Sequence, residues 1–373
     1  MIEKLLETAG FLHLTWREGA MIAISCLLLY LAIKKGFEPL LLVPIGFGAL
    51  LANLPLNGLM SPPTDVGPGG LFYYLFKGVE LEILPPLIFL GLGALTDFGP
   101  MLSNPKTILL GAAAQLGVSF TFLVATFIGF APNEAASIGI IGGADGPTSI
   151  YLTVKLAKHL LGPIAVSAYS YMALVPLIQP PIMKLLTTKK ERLIRMEQLS
   201  DVPKWVKIIF PIMVTIIAAL IVPPATSLIG LLMFGNLLRE CGVTERLVKA
   251  AQNELINVVT IILGLSVGVS MSGESFLTPS TLKILLLGSV AFAISTAGGV
   301  LFGKLMAILP GKPINPLIGA AGVSAVPMAA RVAHRVAQEE DPNNYILMHA
   351  MGPNVAGVLG TAVAAGVFLA LLS

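Results

Sequence analysis

Long apolar segments limit what this chain can fold into more than any other feature of its sequence. Segments of about 15–25 apolar residues are typical of helices that span or half-span a bilayer. Ten of them occur along the chain, at Ala20–Ile33, Leu40–Leu56, Ile83–Leu95, Ile108–Phe130, Ile164–Leu186, Ile208–Val222, Thr226–Leu238, Leu255–Met271, Leu282–Leu309 and Ile346–Leu372. Only 12% of the 373 residues are charged, against about 25% in soluble globular proteins, which excludes a cytosolic enzyme. The sequence predicts an all-α polytopic membrane protein with about 10–11 membrane-spanning helices.

Other classes of protein and site fit the sequence poorly. The net charge of +3 is too small to indicate nucleic acid as a partner. Cys26 and Cys241 lie in apolar stretches without a CxxC pattern or a neighbouring histidine, which favours buried free thiols over a disulfide or a zinc site. Because Ala20–Ile33 follows a mixed-charge, amphipathic start and has no small-residue cleavage site, we expect the first span there rather than a signal peptide.

One motif suggests nucleotide binding but is rejected. Gly298–Leu305 matches the first seven positions of a phosphate-binding P-loop. It ends in Leu305 where a serine or threonine would bind magnesium, and no strand is predicted before it. The motif also lies inside a long apolar segment, so we reject nucleotide binding. If the chain transports an ion uphill, the energy must come from a reaction other than ATP hydrolysis.

The densest basic stretch predicts the orientation of the chain. Lys184–Lys207 contains seven lysines and arginines against three acidic residues. Basic residues in short loops are retained on the cytoplasmic side. We therefore expect this loop in the cytoplasm and the chain in a bacterial cytoplasmic (inner) membrane.

Two further segments, Ala135–His159 and Pro313–Val336, are apolar but interrupted by glycine, proline and a charge. They resemble broken or re-entrant helices more than continuous spans. Five predicted spans separate them, and an odd number gives the two segments opposite orientations. Inverted repeats with broken helices are common in secondary transporters, whose substrate sites lie near the bilayer midplane.

Short sequence matches support an internal repeat. Ile141–Asp145 aligns with Ile318–Gly322, and Met172–Pro176 aligns with His349–Pro353, both at an offset of 177 residues. The predicted organisation is an N-terminal helix and first span at 1–37, a first inverted repeat at 38–186 with its broken helix at 135–159, a cytoplasmic basic loop at 187–207, and a second inverted repeat at 208–373 with its broken helix at 313–336.

Asp145 is the strongest candidate site residue. It follows Gly142 and Gly143, which loosen the helix, and precedes Pro147, which suits the first turn of a new helix. In that position Asp145 is a helix N-cap in a soluble protein. Placing a carboxylate at the centre of a membrane-spanning helix costs about 2.5–3.5 kcal/mol. Serine or asparagine would cap the helix equally well without that cost, so capping alone does not explain an aspartate here. An acid at this depth therefore indicates a cation or proton site.

The second broken segment carries Asn315, Gly319, Ser324 and Arg331. Gly319 fits close backbone packing, and Ser324 fits a simple cap. Arg331 follows Pro327, which again opens a helix; its planar guanidinium suits an anion, or it extends to the headgroups.

Two residues in apolar helices complete the candidate set. Asn354 follows Pro353 in the last span and offers an amide oxygen to a hard cation. Tyr171 either satisfies a backbone carbonyl or donates a proton at the site. Together these residues suit a sodium ion and an anionic substrate.

At Gly142–Ile150 and Asn315–Arg331 the sequence resembles the β subunit of the biotin-dependent, sodium-translocating decarboxylases, which act on oxaloacetate, methylmalonyl-CoA or glutaconyl-CoA. The likeness extends from about Leu40 to the end of the chain. It implies that Asp145 and Tyr171 are the family's essential aspartate and functional tyrosine. Its further conserved residues fall on Asn315, Gly319, Ser324, Arg331 and Asn354.

The resemblance also implies a mechanism. A carboxyltransferase (α) subunit moves CO2 from an acid onto biotin held by a carrier subunit or domain. This chain then decarboxylates carboxybiotin, consumes a proton and exports sodium. Arg331, Gly319 and Tyr171 would bind carboxybiotin, with Arg331, Tyr171 and Asp145 catalytic. The sodium ligands would be Asp145, Asn315, Ser324 and Asn354.

The resemblance implies further partners as well: a small membrane-anchoring subunit and a homotrimeric core. Biotin would not be attached to this chain, which lacks a Met-Lys-Met motif. The alternative prediction is a sodium-coupled secondary transporter of an organic anion, which would use Asp145 and Arg331 without any chemistry.

Overall fold

The computed structural model describes residues 9–65, 67–309 and 313–373. The first eight residues of the predicted N-terminal helix lie outside this description. The described residues form helices joined by loops, and their only extended pairing is an isolated bridge between Thr64 and Gly67. The predicted all-α class is confirmed.

The first half of the chain, up to the basic loop, forms ten α-helices: α1 (Trp16–Lys35), α2 (Pro39–Ala52), α3 (Leu71–Glu80), α4 (Leu84–Leu95), α5 (Gly99–Ser103), α6 (Ile108–Ala114), α7 (Leu116–Ile128), α8 (Pro132–Gly139), α9 (Gly146–Leu156) and α10 (Leu161–Leu186). Local sequence sets several of their ends. Thr15 and Glu18 form a capping box at the start of α1, and Gly36 ends it in the left-handed region at φ 70°.

The second half forms nine more α-helices: α11 (Lys189–Arg192), α12 (Lys204–Ile221), α13 (Thr226–Cys241), α14 (Glu245–Ala250), α15 (Ile256–Val269), α16 (Gly273–Phe276), α17 (Pro279–Ile308), α18 (Met328–Glu340) and α19 (Leu347–Leu372). A π-helical turn at Ala251–Leu255 joins α14 to α15. Two 3₁₀ turns matter for the site, at Ile140–Gly143 and Pro316–Gly322.

Seven helical stretches of the described residues are long and apolar enough to cross a membrane, or eight if the bent pair α3–α4 counts as one span. Three of the ten predicted apolar segments are the shorter helices α2, α4 and α13, of 14, 12 and 16 residues. At about 1.5 Å per residue these reach about 18–24 Å, against a hydrocarbon core of about 30 Å. The chain is a multi-pass membrane protein.

The first broken segment is a re-entrant hairpin. It enters through α8 and the 3₁₀ turn at Ile140–Gly143, turns at Asp145, and returns through α9. Its two legs meet at their open end, because the Asn133 side-chain amide donates to the Leu156 carbonyl across 2.8 Å. His159 and Glu134 pair beside it, also at 2.8 Å. This first hairpin therefore opens beside the start of α10.

The second broken segment is also a re-entrant hairpin. Its first leg is the 3₁₀ turn at Pro316–Gly322 and its second leg is α18. The side-chain amides of Asn315, before the first leg, and Asn344, after the second, both donate to the carbonyls of Arg192 and Ile194, at 2.9–3.2 Å. Those carbonyls follow the C-terminal end of α10, so this second hairpin opens at the opposite end of the molecule.

The two hairpins meet inside the protein. Helix α10 separates their open ends by about 39 Å, whereas the first legs extend about 20 Å and about 14 Å inward. The tips are joined by a main-chain hydrogen bond from the Ser324 N–H to the Gly143 carbonyl, 2.8 Å long. The two hairpins enter the protein from opposite ends, as an inverted relation between the two halves requires. The boundaries of the repeats stay a prediction.

Candidate functional site

Asp145 lies at the tip of the first hairpin and caps α9. One carboxylate oxygen, Oδ1, accepts a hydrogen bond from the Thr148 N–H at 3.2 Å. The residue before it, Ala144, has a φ of 55°, so the chain turns sharply enough to point the cap inward. The side chain is only 4% exposed, and Oδ2 has no hydrogen-bond partner. A buried, half-satisfied carboxylate is costly unless a cation or a proton completes it.

A small cavity of about 60 Å³ lies against this carboxylate. Asp145 lines it from the first hairpin, and Ser324 and Val326 line it from the second. The remaining wall is mostly apolar: Leu92, Thr96, Phe98, Pro147, Met172, Leu232, Val355 and Val358. The volume suits an ion or a few waters. The structure thus brings Asp145 and Ser324, both predicted site residues, to one cavity.

Asn354 holds the second hairpin from α19. Its side-chain nitrogen donates to the carbonyls of Ala321 and Val323 at 2.9 and 2.7 Å. These bonds fix the side chain, and its oxygen, which is fully buried, has no partner. Asn354 therefore leaves an unpaired acceptor beside the hairpin tip.

Among the described residues, no group of three or more His, Cys, Asp or Glu side chains is arranged to hold a metal ion. A cation between the tips would instead be held by one carboxylate together with hydroxyl, amide and carbonyl oxygens. Oxygen ligands of this kind suit a hard cation.

Tyr169, which the sequence analysis did not select, is the tyrosine beside Asp145. Its ring lies so close to Gly146 that a Cβ there would overlap it. The Tyr169 hydroxyl is buried, has no hydrogen-bond partner and lies within electrostatic range of the Asp145 carboxylate. Tyr171 is half-buried and donates instead to the Leu285 carbonyl of α17.

Asn315 lies at the open end of the second hairpin, away from its tip. Its oxygen accepts from the Leu317 N–H at 3.0 Å, and its nitrogen donates to the carbonyls of Arg192 and Ile194. About 14 Å of 3₁₀ turn separates it from the tip. The structure does not bring Asn315 together with Asp145.

The two predicted carboxybiotin contacts on the second hairpin differ in surroundings. Gly319 is buried and packs its backbone against the Gly299 carbonyl of α17. Arg331 is exposed on α18 and forms no ion pair with any residue in the described ranges. Its guanidinium is therefore available to an external anion.

Residues 194–203, here called the strap, have no regular secondary structure. The strap crosses between two surface cavities of about 560 and about 430 Å³, both of which Met196 and Ser200 line. It is held by the amides of Asn315 and Asn344 and by an ion pair from Arg195 to Asp341 at 2.6 Å. The strap covers the end of the molecule at which the second hairpin opens.

Comparison with known proteins identifies the family. The family described as the Na⁺-transporting oxaloacetate decarboxylase β subunit matches residues 17–372. The methylmalonyl-CoA decarboxylase subunit β of Propionigenium modestum is 58% identical over the full length of both chains. The glutaconyl-CoA decarboxylase subunit β of Acidaminococcus fermentans is 58% identical over 100% of this chain and 97% of its own. The oxaloacetate decarboxylase β chain of Klebsiella pneumoniae is 50% identical over 99% and 98%.

These matches confirm the resemblance found in the sequence, including its sodium transport, its biotin dependence and its decarboxylase activity. They also imply partner subunits, because each relative is named as one subunit of a larger enzyme. The predicted alternative, a secondary transporter, is not favoured. The chain belongs to the β-subunit family of the sodium-translocating decarboxylases, which are membrane sodium pumps.

Proposed function

We propose that the hairpin tips bind the transported sodium ion, with Asp145, Ser324 and Asn354 as ligands. The observation that carries this is the buried Asp145 Oδ2, which has no partner and belongs to a residue lining a cavity of about 60 Å³. Carboxylate, hydroxyl and amide oxygens bind hard cations. The unpaired hydroxyls of Thr148 and Tyr169 lie next to the same carboxylate and extend the set of oxygens.

The charge of Asp145 couples sodium transport to decarboxylation in this proposal. Moving one sodium ion against about 100 mV costs about 2.3 kcal/mol. Asp145 binds the ion while its carboxylate is negative, and a proton on Oδ2 removes that negative charge. Proton uptake linked to decarboxylation therefore weakens sodium binding and releases the ion.

Arg331 binds the carboxylate of carboxybiotin in this proposal, since it is exposed and free of ion pairs with described residues. Carboxybiotin, carried by a partner subunit, supplies the carboxyl group whose loss as CO2 provides the energy. Gly319 and Tyr171 both contact α17. We assign Gly319 to positioning the second hairpin against α17, Tyr171 to joining α10 to α17, and Asn315 to positioning the strap.

In this proposal the strap end faces the cytoplasm, because it carries the basic stretch Lys184–Lys207. The membrane is then the bacterial inner membrane. Three lysines near the opposite end are paired with carboxylates: Lys77 and Lys158 with Glu80, and Lys155 with Glu82. The partners are a carboxyltransferase subunit, a biotin carrier and a small membrane-anchoring subunit, around a trimer of this chain.

Asp145→Asn tests the sodium site without removing the helix cap, because asparagine caps as well as aspartate. We expect labelled-sodium transport and sodium-dependent decarboxylation to be lost in proteoliposomes of the reconstituted complex. Asp65→Asn, in an exposed loop, is the matched control. Normal sodium transport by Asp145→Asn would overturn the assignment.

The proposed partners have a separate test. Solubilised membranes are passed over avidin, and the retained proteins are identified. We expect this chain to be retained together with a biotinylated subunit. A chain that passes through alone under conditions that preserve activity would contradict a carboxybiotin-driven pump and would favour a carrier.

A further inference from the structure

A short segment separates the Asp145 cavity from the larger of the two strap cavities. Residues 96–98 join α4 to α5, and these residues and the first two of α5 lie between the two spaces. Thr96 and Phe98 line the inner cavity of about 60 Å³ with Asp145. Asp97, Gly99 and Pro100 line the outer cavity of about 560 Å³. At this point a single segment of backbone forms the wall between the two cavities.

Phe98 closes this wall. Its side chain is 2% exposed and packs against the ring of Phe210 on α12, with ring centroids 5.3 Å apart. A buried phenyl ring excludes water from the space behind it, so an ion cannot pass this point until the ring moves.

The chain just before Phe98 is anchored to neighbouring helices. The carbonyls of residues 94, 95 and 96 accept hydrogen bonds from the side chains of Gln252, Arg239 and Asn236, at 2.6, 2.8 and 3.0 Å. After it, the Gly99 N–H is held only locally, by the Asp97 carboxylate at 2.8 Å. The side-chain anchors on this wall therefore lie before Phe98, on the carbonyls of residues 94–96.

The outer cavity, here called the vestibule, is lined by two carboxylates and two basic side chains. Asp97 and Asp201 line it, together with the hydroxyl-bearing Ser103 and Ser200 and the amide of Asn343. Arg195 also lines it but is neutralised by Asp341 at 2.6 Å, and Lys207 lies 3.9 Å from Asp97. The space is large enough for a hydrated ion.

We propose that Phe98 is the gate through which sodium passes from this vestibule to Asp145. The gate rests on the proposed function of Asp145 as the sodium site. Its movement, by a change of ring orientation, connects the two cavities and admits the ion; its return seals the ion from the strap side.

Cysteine accessibility tests the gate in the intact complex. Val358→Cys places a thiol in the inner cavity and Asp97→Cys places one in the vestibule, each in a Cys26→Ser/Cys241→Ser background. A membrane-impermeant, positively charged thiol reagent is added from the strap side without carboxybiotin. We expect rapid labelling at Asp97→Cys and slow labelling at Val358→Cys. Adding Phe98→Ala is expected to raise labelling of Val358→Cys by at least about tenfold, because the lost ring leaves room for water beside the polar groups of Thr96 and Asp145.

Phe89→Ala is the matched control, because Phe89 is equally buried in the same part of the core but lines neither cavity. It should leave labelling of Val358→Cys slow. Where Phe98→Ala does not elute as a monodisperse protein, Phe98→Leu replaces it, with a smaller increase expected. Unchanged labelling with a folded Phe98 variant, equal increases with Phe89→Ala, or no labelling at Asp97→Cys would overturn the gate.

Sodium protection separates this proposal from the sodium site itself. In the Phe98→Ala background, sodium is expected to slow labelling of Val358→Cys, and Asp145→Asn is expected to remove that protection while labelling stays fast. Fast labelling without any protection by sodium would support the gate and count against Asp145 as the sodium ligand.

Discussion

The N–H of Ser324 and the carbonyl of Gly143 are joined by a hydrogen bond of 2.8 Å at the point where two re-entrant hairpins meet. Each hairpin enters from a different end of the molecule, so this bond lies where neither surface is close. Asp145 follows Gly143 by two residues, and the Ser324 side chain lines the same cavity. In the proposed sodium site, ion binding and contact between the hairpins would therefore depend on neighbouring residues.

Ser324→Ala should weaken sodium binding without unfolding the protein. The Ser324 hydroxyl lies 2.8 Å from the Thr361 hydroxyl and is one of the oxygens at the tip. Loss of one such oxygen is expected to raise the half-saturating sodium concentration by about fivefold, measured as sodium-dependent decarboxylation. Ser266→Ala, at an equally buried serine outside the cavity, is the control. An unchanged value for Ser324→Ala would exclude this hydroxyl as a ligand.

The two tyrosines of α10 should behave differently. Tyr169→Phe removes an unpaired hydroxyl beside Asp145 and is expected to raise the half-saturating sodium concentration by about fivefold. Tyr171→Phe removes a hydrogen bond to α17 and is expected to change the rate of decarboxylation rather than the sodium dependence. The reverse pattern would place Tyr171 at the ion.

Gly146→Ala should destabilise the first hairpin, because the added Cβ would overlap the Tyr169 ring inside a packed core. Overpacking of this kind costs about 1–3 kcal/mol. A clear fall in the melting temperature of the detergent-solubilised protein is expected. Gly230→Ala is the control, since its nearest neighbouring atom would be 3.8 Å away. Equal melting temperatures for the two variants would show that the hairpin can move away from Tyr169.

Asn315→Ala should release the strap while sodium binding is retained. Its side chain holds the Arg192 and Ile194 carbonyls at the start of the strap. Faster proteolysis within residues 194–203 is expected, and Asn344→Ala, which removes the same two contacts from the other leg, should act in the same way. A large loss of sodium affinity with an intact strap would instead make Asn315 an ion ligand.

Asp341 should stabilise the strap end in a pH-dependent way. Its hydrogen bond from Arg195 holds the pKa of the Asp341 carboxyl below its usual value. A lowered pKa gives stability that is fully present above the unfolded pKa of about 3.9 and is lost as the pH falls through the lower folded value. The difference in melting temperature between wild type and Asp341→Asn should be constant from about pH 8 to about pH 5 and narrow below about pH 4. A difference that changes between pH 8 and 5 would contradict the pairing.

Much of this fold is predictable because hydrophobic length and helix-breaking residues are local signals. The two interrupted segments are found from their glycines and prolines, and Asp145 and Pro147 start α9 as expected. Helix α3 lies outside the predicted spans because Lys77 and Glu80 make it amphipathic rather than uniformly apolar. The re-entrant paths depend on contacts such as Asn133 to Leu156, which no local pattern encodes.

The details of the site are less predictable for a geometric reason. Tyr169 and Tyr171 are two positions apart on a helix, which is about 200° of rotation, so they face different neighbours. Choosing between them requires knowing which side of α10 meets the first hairpin. For Asn315, the residue type predicts a cation ligand, whereas its contacts in the structure depend on its place at the open end of the hairpin.

A continuous helix crossing the bilayer could open a passage only by unwinding or tilting as a whole. Two half-length pieces laid end to end can instead part in the middle. Separating Gly143 from Ser324 breaks one main-chain hydrogen bond, at a net cost of about 1 kcal/mol where water binds the freed groups. In the proposed sodium site, such a separation would free the Gly143 carbonyl, an oxygen of the kind that binds a hard cation.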